Sequence, residues 1–250
     1  MTDTIIETQS LTKEFRGFTA VREVNLRVRR GSIHALIGPN GAGKSTVFNL
    51  LTKFLPPSSG RIFFKGEDIT GEDPADIAQR GLVRSFQISS TFPHLSVREN
   101  VRIALQRPQG FSYRFWRHER CLDALHHRAD ELLEQVGLQA FRHARAADLS
   151  YGRKRALELA TTLALDPEVL LLDEPMAGLG HEDIERIAKL IRSAAVGRTV
   201  LMVEHNLKVV SDLSDTITVL ARGQILAEGT YATVAANPEV RSAYMGSTHV

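Results

Sequence analysis

A glycine-rich stretch carries residue types suited to holding phosphate. Its letters, GPNGAGKST, match G-x-x-x-x-G-K-[ST] and follow the short apolar run Ile33–Ile37. Glycines let successive backbone N–H groups turn inward around a phosphate, and a helix that begins inside the stretch adds a favourable dipole. The Lys44 ammonium would lie between the β- and γ-phosphates of a nucleotide, and the Ser45 hydroxyl would ligate Mg²⁺, which prefers oxygen. The predicted phosphate-binding residues are Gly38, Pro39, Asn40, Gly41, Ala42, Gly43, Lys44, Ser45 and Thr46.

Two adjacent carboxylates follow a second apolar run. Val169–Leu172 is typical of a buried strand, and Asp173 and Glu174 come directly after it. Such a pair is costly to desolvate without partners. A Mg²⁺ ion would stabilise Asp173 through its waters, while Glu174 would orient or deprotonate the water that attacks the γ-phosphate. Together with the glycine-rich stretch, the pair predicts a nucleotide-hydrolysing P-loop protein.

The apolar pattern along the chain predicts a helical insert inside an α/β core. Val24, Leu26 and Val28 alternate with polar residues as in a half-buried strand, and a helix after the glycine-rich stretch is expected to stop at Pro56-Pro57. Ser96 and Glu99 form a capping box, S-x-x-E, ahead of helical spacing. Strand and helix patterns then alternate from Val169 onward and end in a predicted hairpin, Thr216–Ala221 with Gln224–Ala227.

The segment Leu149 to Arg153, with the letters LSYGR, resembles the LSGGQ signature of ATP-binding-cassette (ABC) ATPases. Other marks of that family occur in order around it: Gln87, Ala177–Gly180 and His205. The resemblance covers about residues 5–230. It implies an α/β fold, a P-loop NTPase ABC-ATPase core with an N-terminal antiparallel β subdomain and an inserted α-helical subdomain.

The same resemblance implies domain bounds and residue roles. We expect one ABC ATPase domain over 1–250, the helical subdomain at 88–165, and a C-terminal tail at 231–250. ATP and Mg²⁺ are the implied ligands. The implied catalytic residues are Glu174 as general base and His205 as a γ-phosphate contact. The implied metal ligands are Ser45, Gln87 and Asp173. The further implied nucleotide contacts are Val21, Ser150, Gly152 and Phe15, the last of which would stack on adenine.

One phosphate loop and one signature per chain imply that two chains must cooperate. Ser150 and the N–H of Gly152 lie at a predicted helix N-terminus, a natural anion site, and by resemblance bind the γ-phosphate held by a neighbouring subunit. Two chains would then sandwich two ATP molecules head to tail. The sequence departs from the family pattern at Tyr151, Arg153, Gly180 and Asn206. Gly180 replaces an aspartate that communicates between sites, which puts that coupling in doubt.

Several short stretches of the sequence are also similar to the ATPases of branched-chain amino-acid importers. The implied partners are integral-membrane permeases, a second ABC ATPase subunit that is a copy or a different chain, and indirectly a solute-binding protein, at the cytoplasmic face of the inner (plasma) membrane. Urea, amide and aromatic-acid importers and lipopolysaccharide exporters share much of the pattern. A DNA-repair or ribosomal ABC ATPase and a module that binds ATP without hydrolysis are the non-transport alternatives. The similar stretches are Leu11–Val21, Arg84–Gln87, Leu149–Gly152, Ala177–Leu179, Asn237–Val240 and Ala243–Gly246.

The composition excludes some classes of protein and partner but does not by itself identify the function. Among 250 residues, 31 Lys and Arg face 29 Asp and Glu, and a net charge of +2 is too small to argue for nucleic acid as a partner. No stretch approaches the roughly 18 apolar residues of a spanning helix, and no secretory signal is visible. The one cysteine, Cys121, suits a reducing compartment. We therefore expect a cytosolic globular chain that is soluble when isolated.

A basic and aromatic segment at 107–128 leaves three alternatives open. Such a mixture can bind single-stranded nucleic acid. It can also face anionic lipid headgroups or the cytoplasmic helix of a permease, or form an ordinary solvated surface. The overall pattern favours the last two, so no nucleic acid is expected.

Overall fold

The structure of the chain, a computed structural model, describes residues 3–85, 91–106 and 124–245. The strands in these ranges are β1 (Thr4–Phe15), β2 (Phe18–Val24), β3 (Arg27–Arg29), β4 (Ile33–Ile37), β5 (Ser59–Phe64), β6 (Glu67–Asp68), β7 (Leu82–Arg84), β8 (Val169–Asp173), β9 (Thr199–Val203), β10 (Thr216–Ala221) and β11 (Gln224–Gly229). The helices are α1 (Lys44–Leu51), α2 (Pro74–Gln79), α3 (Val97–Gln106), α4 (Ala124–Gln135), α5 (Tyr151–Leu163), α6 (His181–Ala194), α7 (Leu207–Leu213), α8 (Tyr231–Ala236) and α9 (Pro238–Met245). None of the helices in the described ranges is long and apolar enough to cross a membrane.

The N-terminal strands form an antiparallel sheet in the order β2-β1-β5-β6, with β3 also paired to β1. The predicted continuous strand through Val24, Leu26 and Val28 is divided between β2 and β3. At the division, the Thr8 hydroxyl donates to the carbonyl of Val24 at 2.8 Å and accepts the N–H of Leu26 at 2.8 Å. The Thr8 side chain therefore replaces ladder hydrogen bonds at the break between β2 and β3, which both pair with β1.

The second sheet has the order β11-β10-β4-β9-β8-β7, in which all pairs are parallel except β10 with β11. Every residue of β4 and of β9 is buried. Ile33, Ala35 and Ile37 pack into the apolar cluster shared with α3, α4 and α5, whereas Leu36 packs into the cluster shared with α1 and the antiparallel sheet. The mainly apolar sequence of β4, in which His34 is the one polar residue, follows from this two-sided burial.

The helix ends follow local signals, with one exception. The predicted capping box is confirmed, because the Glu99 carboxylate accepts the Ser96 N–H at 2.7 Å while the Ser96 hydroxyl accepts the Glu99 N–H at 3.2 Å. The helix predicted to reach Pro56-Pro57 instead ends at Leu51, since Lys53 adopts a left-handed φ of +62°. Helices α3, α4 and α5, which come between β7 and β8 in the sequence, pack on one another.

The C-terminal part closes the second sheet. Arg222 and Gly223, at φ +50° and +80°, form the tight turn of the predicted β10–β11 hairpin, which is confirmed. The described part of the predicted tail folds as α8 and α9. Val234 and Val240 bury their side chains in the cluster that also contains Ile33. Helices α8 and α9 are therefore anchored to the core through Val234 and Val240.

Candidate active site

Three adjacent parallel strands bring the predicted catalytic segments to one edge of the sheet. In the order β4-β9-β8, Leu36 pairs with Val203, and Val203 pairs with Asp173. The glycine-rich loop follows β4, His205 follows β9, and Glu174 follows β8. Because the carboxyl ends of parallel strands meet at the same edge, these segments converge there, where ligands of open α/β sheets bind.

The glycine-rich loop is pressed against backbone on two sides. Gly38 has a φ of +153°, and a Cβ at this position would lie 2.1 Å from the carbonyl oxygen of Leu220. Gly43 has a φ of +101°, and its Cβ would lie 2.5 Å from the carbonyl oxygen of Ala20. The conformation thus depends on glycine at both positions. Helix α1 begins at the next residue, Lys44, so its N-terminus faces the loop.

Lys44 is folded into the loop. Its ammonium donates to the carbonyl of Gly38 at 2.8 Å and to that of Pro39 at 3.0 Å. Burial lowers the pKa of Lys44, while the negative charges of Glu174 and Asp173 act in the opposite direction. The Lys44 ammonium is therefore influenced by the charges of both the predicted base, Glu174, and the predicted metal ligand, Asp173. Ser45 is exposed on the first turn of α1.

Arg84, at the end of β7, pairs with Asp173, at the end of β8. The guanidinium donates to the Asp173 carboxylate and also to Oδ1 of Asn49 at 2.6 Å. It lies 5.9 Å from the centroid of the Phe48 ring. Arg84 was not predicted as a site residue; the signal available in the sequence was a cation directly after the apolar pair Leu82-Val83.

Glu174 begins a turn in a strained conformation. Its φ is +46°, a region that non-glycine residues seldom adopt. The Glu174 N–H donates to the carbonyl of Val203 at 2.9 Å, and its carbonyl accepts the N–H of Ala177 at 3.0 Å. These two bonds fix the backbone on both sides of the carboxylate. Such strain is typical of positions that aim a functional side chain.

The end of β9 carries a buried acid and an exposed imidazole. Glu204 is fully buried, and burial raises the pKa of its carboxyl, with the negative charge of Glu174 acting in the same direction. Sequence reasoning missed Glu204. His205 is exposed. Next, Oδ1 of Asn206 accepts the N–H groups of Lys208 and Val209, both at 3.2 Å, and so caps α7.

The remaining predicted contacts lie on other elements. Phe15 is 41% exposed at the end of β1, with its ring centroid 5.2 Å from the Lys13 ammonium. Val21 has no exposed surface and packs behind Gly43, against the inner side of the loop. Gln87 lies outside the described residues.

The predicted signature is the start of α5. Ser150 is exposed at the N-cap position and its side chain makes no capping hydrogen bond. Gly152 is buried, and a Cβ there would lie 2.3 Å from Oδ2 of Asp183 on α6. Because Ser150 is the N-cap residue, its hydroxyl lies at the N-terminus of α5, where anions bind favourably.

Comparison with known proteins decides the family. The family profile described as ABC transporter matches residues 21–177. The chain belongs to the ABC transporter family. A second profile, described as branched-chain amino acid ATP-binding cassette transporter, matches residues 224–250 of this ABC protein.

Individual ABC proteins align over nearly the whole chain. The high-affinity branched-chain amino acid transport ATP-binding protein BraF of Pseudomonas aeruginosa is 39% identical over 98% of this chain and 99% of its own. The crystal structure of a nucleotide-free ATP-binding cassette from an ABC transporter matches with a TM-score of 0.84 at 30% identity, over 96% of this chain and 98% of that one. A dimeric post-hydrolysis cassette bound to ADP and Pi matches with a TM-score of 0.76 at 25% identity, over 91% and 99%.

Membership in the ABC family establishes the coarse function. The chain is an ATP-binding, ATP-hydrolysing subunit of an ABC transporter, with the α/β cassette fold predicted from its motifs. Such a subunit pairs with a second cassette and works with membrane permeases.

Proposed function

We propose that this subunit powers an importer of branched-chain or related amino acids. The name of the relative BraF and the C-terminal match at residues 224–250 support this substrate class. The observation that carries the catalytic part of the proposal is the convergence of the ends of β4, β9 and β8. Importers of urea, amides or aromatic acids and exporters of lipopolysaccharide are the alternatives within transport.

The glycine-rich loop and Phe15 would hold the nucleotide. The loop N–H groups and the N-terminus of α1 bind phosphate, and Lys44 exchanges its bonds to the Gly38 and Pro39 carbonyls for the β- and γ-phosphates. Phe15, exposed at the end of β1, stacks on the adenine ring. Val21 keeps the loop in place from behind.

The oxygen donors near the loop fit Mg²⁺. The Ser45 hydroxyl and the Asp173 carboxylate are hard ligands, the type that Mg²⁺ takes alongside phosphate and water, and Gln87 is the third proposed ligand. Arg84 pairs with Asp173 and so would share this carboxylate with the ion. When bound, the ion would neutralise charge on the phosphates.

Glu174 and His205 would act at the γ-phosphate. Glu174 accepts a hydrogen bond from the attacking water and takes its proton as the new bond to the γ-phosphorus forms and the bond from that phosphorus to the bridging oxygen of ADP breaks. His205 donates from its exposed position at the end of β9 to a γ-phosphate oxygen. The fixed backbone of Glu174 holds the carboxylate ready for this step.

A second chain would complete each site. Ser150 and the Gly152 N–H, at the start of α5, bind the γ-phosphate held by the neighbouring subunit. Two such chains enclose two nucleotides, and the match to a dimeric cassette supports this arrangement. The partner is a second copy or a different cassette chain.

The permease would dock in a groove of about 430 Å³ between the α/β core and the inserted helices. The wall formed by α2 and β7 includes Ile77 and Leu82, and the opposite wall includes Ile103 of α3. A cytoplasmic helix of the permease suits this mainly apolar groove. We propose residues 88–165 as the helical subdomain, whose helix α3 forms the second wall, and we propose that this side of the chain meets the permease at the cytoplasmic face of the membrane.

The proposal is tested by isolating the complex through a tag on this chain from gently solubilised native membranes. We expect mass spectrometry to identify permeases and a second cassette. Uptake of labelled leucine, isoleucine and valine should fall in cells that lack the chain and return when it is supplied again. Recovery of ribosomes or nucleic acid without permeases would overturn transport, and unchanged amino-acid uptake would overturn the substrate class.

A further inference from the structure

The first residue of α5 contacts the segment that follows Glu174. The Tyr151 hydroxyl donates to the carbonyl of Ala177 at 3.1 Å. The Arg155 guanidinium donates to the Tyr151 hydroxyl oxygen at 3.3 Å and lies 5.5 Å from the ring centroid. Tyr151 is adjacent to Ser150, so one side chain joins the proposed site for the partner's phosphate to the chain's own catalytic segment.

A buried ion pair supports this link at one end, and the turn after Glu174 packs against it at the other. Arg155 pairs with Glu158 at 3.0 Å, and the two side chains are only 10% and 5% exposed. Burial raises the pKa of Glu158, and Arg155 opposes the shift. On the other side, Gly178 has a φ of +74°, and a Cβ there would lie 3.2 Å from the Tyr151 hydroxyl oxygen. The ring therefore lies close against the turn after Glu174.

The hydrogen bonds continue to the catalytic carboxylate. Ala177 accepts from Tyr151 through its carbonyl and donates to the carbonyl of Glu174 through its N–H at 3.0 Å. Any shift of the N-terminus of α5 consequently acts on the strained backbone of Glu174. Gly180, further along the same segment, has no side chain that could make such a link, and a Cβ there would meet nothing within 4 Å.

The geometry points to Tyr151 as a positioning residue that couples the two nucleotide sites of the dimer. Phosphate of the partner's nucleotide at Ser150 fixes the start of α5, and Tyr151 passes this constraint through Ala177 to Glu174 of the same chain. The inference rests on the proposed two-chain function and deepens it. Tyr151 would thus supply the coupling between the two nucleotide sites that Gly180, without a side chain, cannot supply.

The test compares Tyr151→Phe with Tyr231→Phe in the isolated transporter complex. Tyr151→Phe keeps the ring and removes the hydroxyl, and we expect kcat for ATP hydrolysis to fall about two- to tenfold, the effect of one neutral hydrogen bond, with KM unchanged. Tyr231, on α8, is equally exposed at 41%, and its variant should match the wild type. The melting temperature should be the same for all three proteins.

A double variant separates coupling from a local effect. Ser150→Ala removes the proposed phosphate contact, so adding Tyr151→Phe should slow it no further. The coupling would be overturned if the two substitutions reduced kcat by independent factors that multiply in the double variant. A wild-type kcat for Tyr151→Phe would also overturn it, as would a lower kcat accompanied by a changed KM and a lower melting temperature. Glu174→Gln in the same assay tests the proposed ATPase site itself. Wild-type turnover of this variant would overturn both the proposed site and the coupling. An inactive Glu174→Gln together with a normal Tyr151→Phe would overturn only the coupling.

Discussion

The guanidinium of Arg84 donates to the carboxylate of Asp173 and so joins the ends of β7 and β8 beside the nucleotide loop. Only 15% and 14% of the two side chains are exposed. Arg84 also donates to Asn49 on α1, so one cation ties three elements around the proposed Mg²⁺ ligand. The charge of Asp173 is thus balanced before any metal arrives.

Removing this cation should destabilise the chain. We expect Arg84→Met to lower the free energy of unfolding by about 1.5–3 kcal/mol, because Asp173 would keep a mostly buried charge without its partner. Arg27→Met, which breaks the exposed pair with Glu7, should cost less than about 1 kcal/mol. Urea titration of the purified chain without nucleotide measures both. Equal stability of the two variants would contradict the role given to Arg84.

The loop conformation requires glycine at position 38. A methyl group there would lie 2.1 Å from the Leu220 carbonyl oxygen, so Gly38→Ala must shift the loop or β10. We expect loss of ATP binding and a fall of at least about 2 kcal/mol in unfolding free energy. Gly71→Ala is the matched control, since its Cβ meets nothing within 4 Å. Fluorescent nucleotide titration and urea unfolding check the pair; normal ATP affinity in Gly38→Ala would refute the geometry.

Stability should depend on pH through the buried His34. Burial lowers the pKa of His34 from 6.5 to about 4, and its Nε2 lies 2.7 Å from the Thr218 hydroxyl, which donates to Glu228. The unfolded chain binds this proton more readily than the folded chain, so stability is full above pH 6.5 and falls between pH 6.5 and 4, by about 3 kcal/mol in total.

The His34 contribution is measured by urea unfolding at a series of pH values. His34→Gln keeps a side-chain donor and should lose this part of the pH dependence, whereas a variant of the exposed His181, His181→Gln, should retain it. Identical pH profiles for the two variants would show that His34 does not titrate as inferred.

Local patterns predicted much of the fold. The capping box at Ser96 and Glu99, the buried strand Ile33–Ile37 and the turn at Arg222-Gly223 each depend on residues close in sequence, and each is confirmed. The predicted end of α1 was wrong because the chain turns at Lys53, which is left-handed and whose ammonium makes a tertiary bond to the carbonyl of Thr70.

Contacts between distant segments could not be predicted. Arg84 meets Asp173 because β7 and β8 pair in parallel across a long insertion, and the sequence alone does not determine that strand order. The bond from Tyr151 to Ala177 likewise depends on how α5 packs beside α6. The buried position of Val21 behind Gly43 also follows from the packing of β2 against the loop, which the sequence alone does not determine.

Steady-state ATP hydrolysis by Glu174→Gln tests the central claim most directly, with ATP binding measured on the same protein. Because the amide is isosteric and cannot accept the proton of the attacking water, we expect turnover to fall about 100-fold or more while ATP affinity is retained. Wild-type turnover in Glu174→Gln would contradict the assignment of Glu174 as the base and, with it, the active site at the ends of β4, β9 and β8.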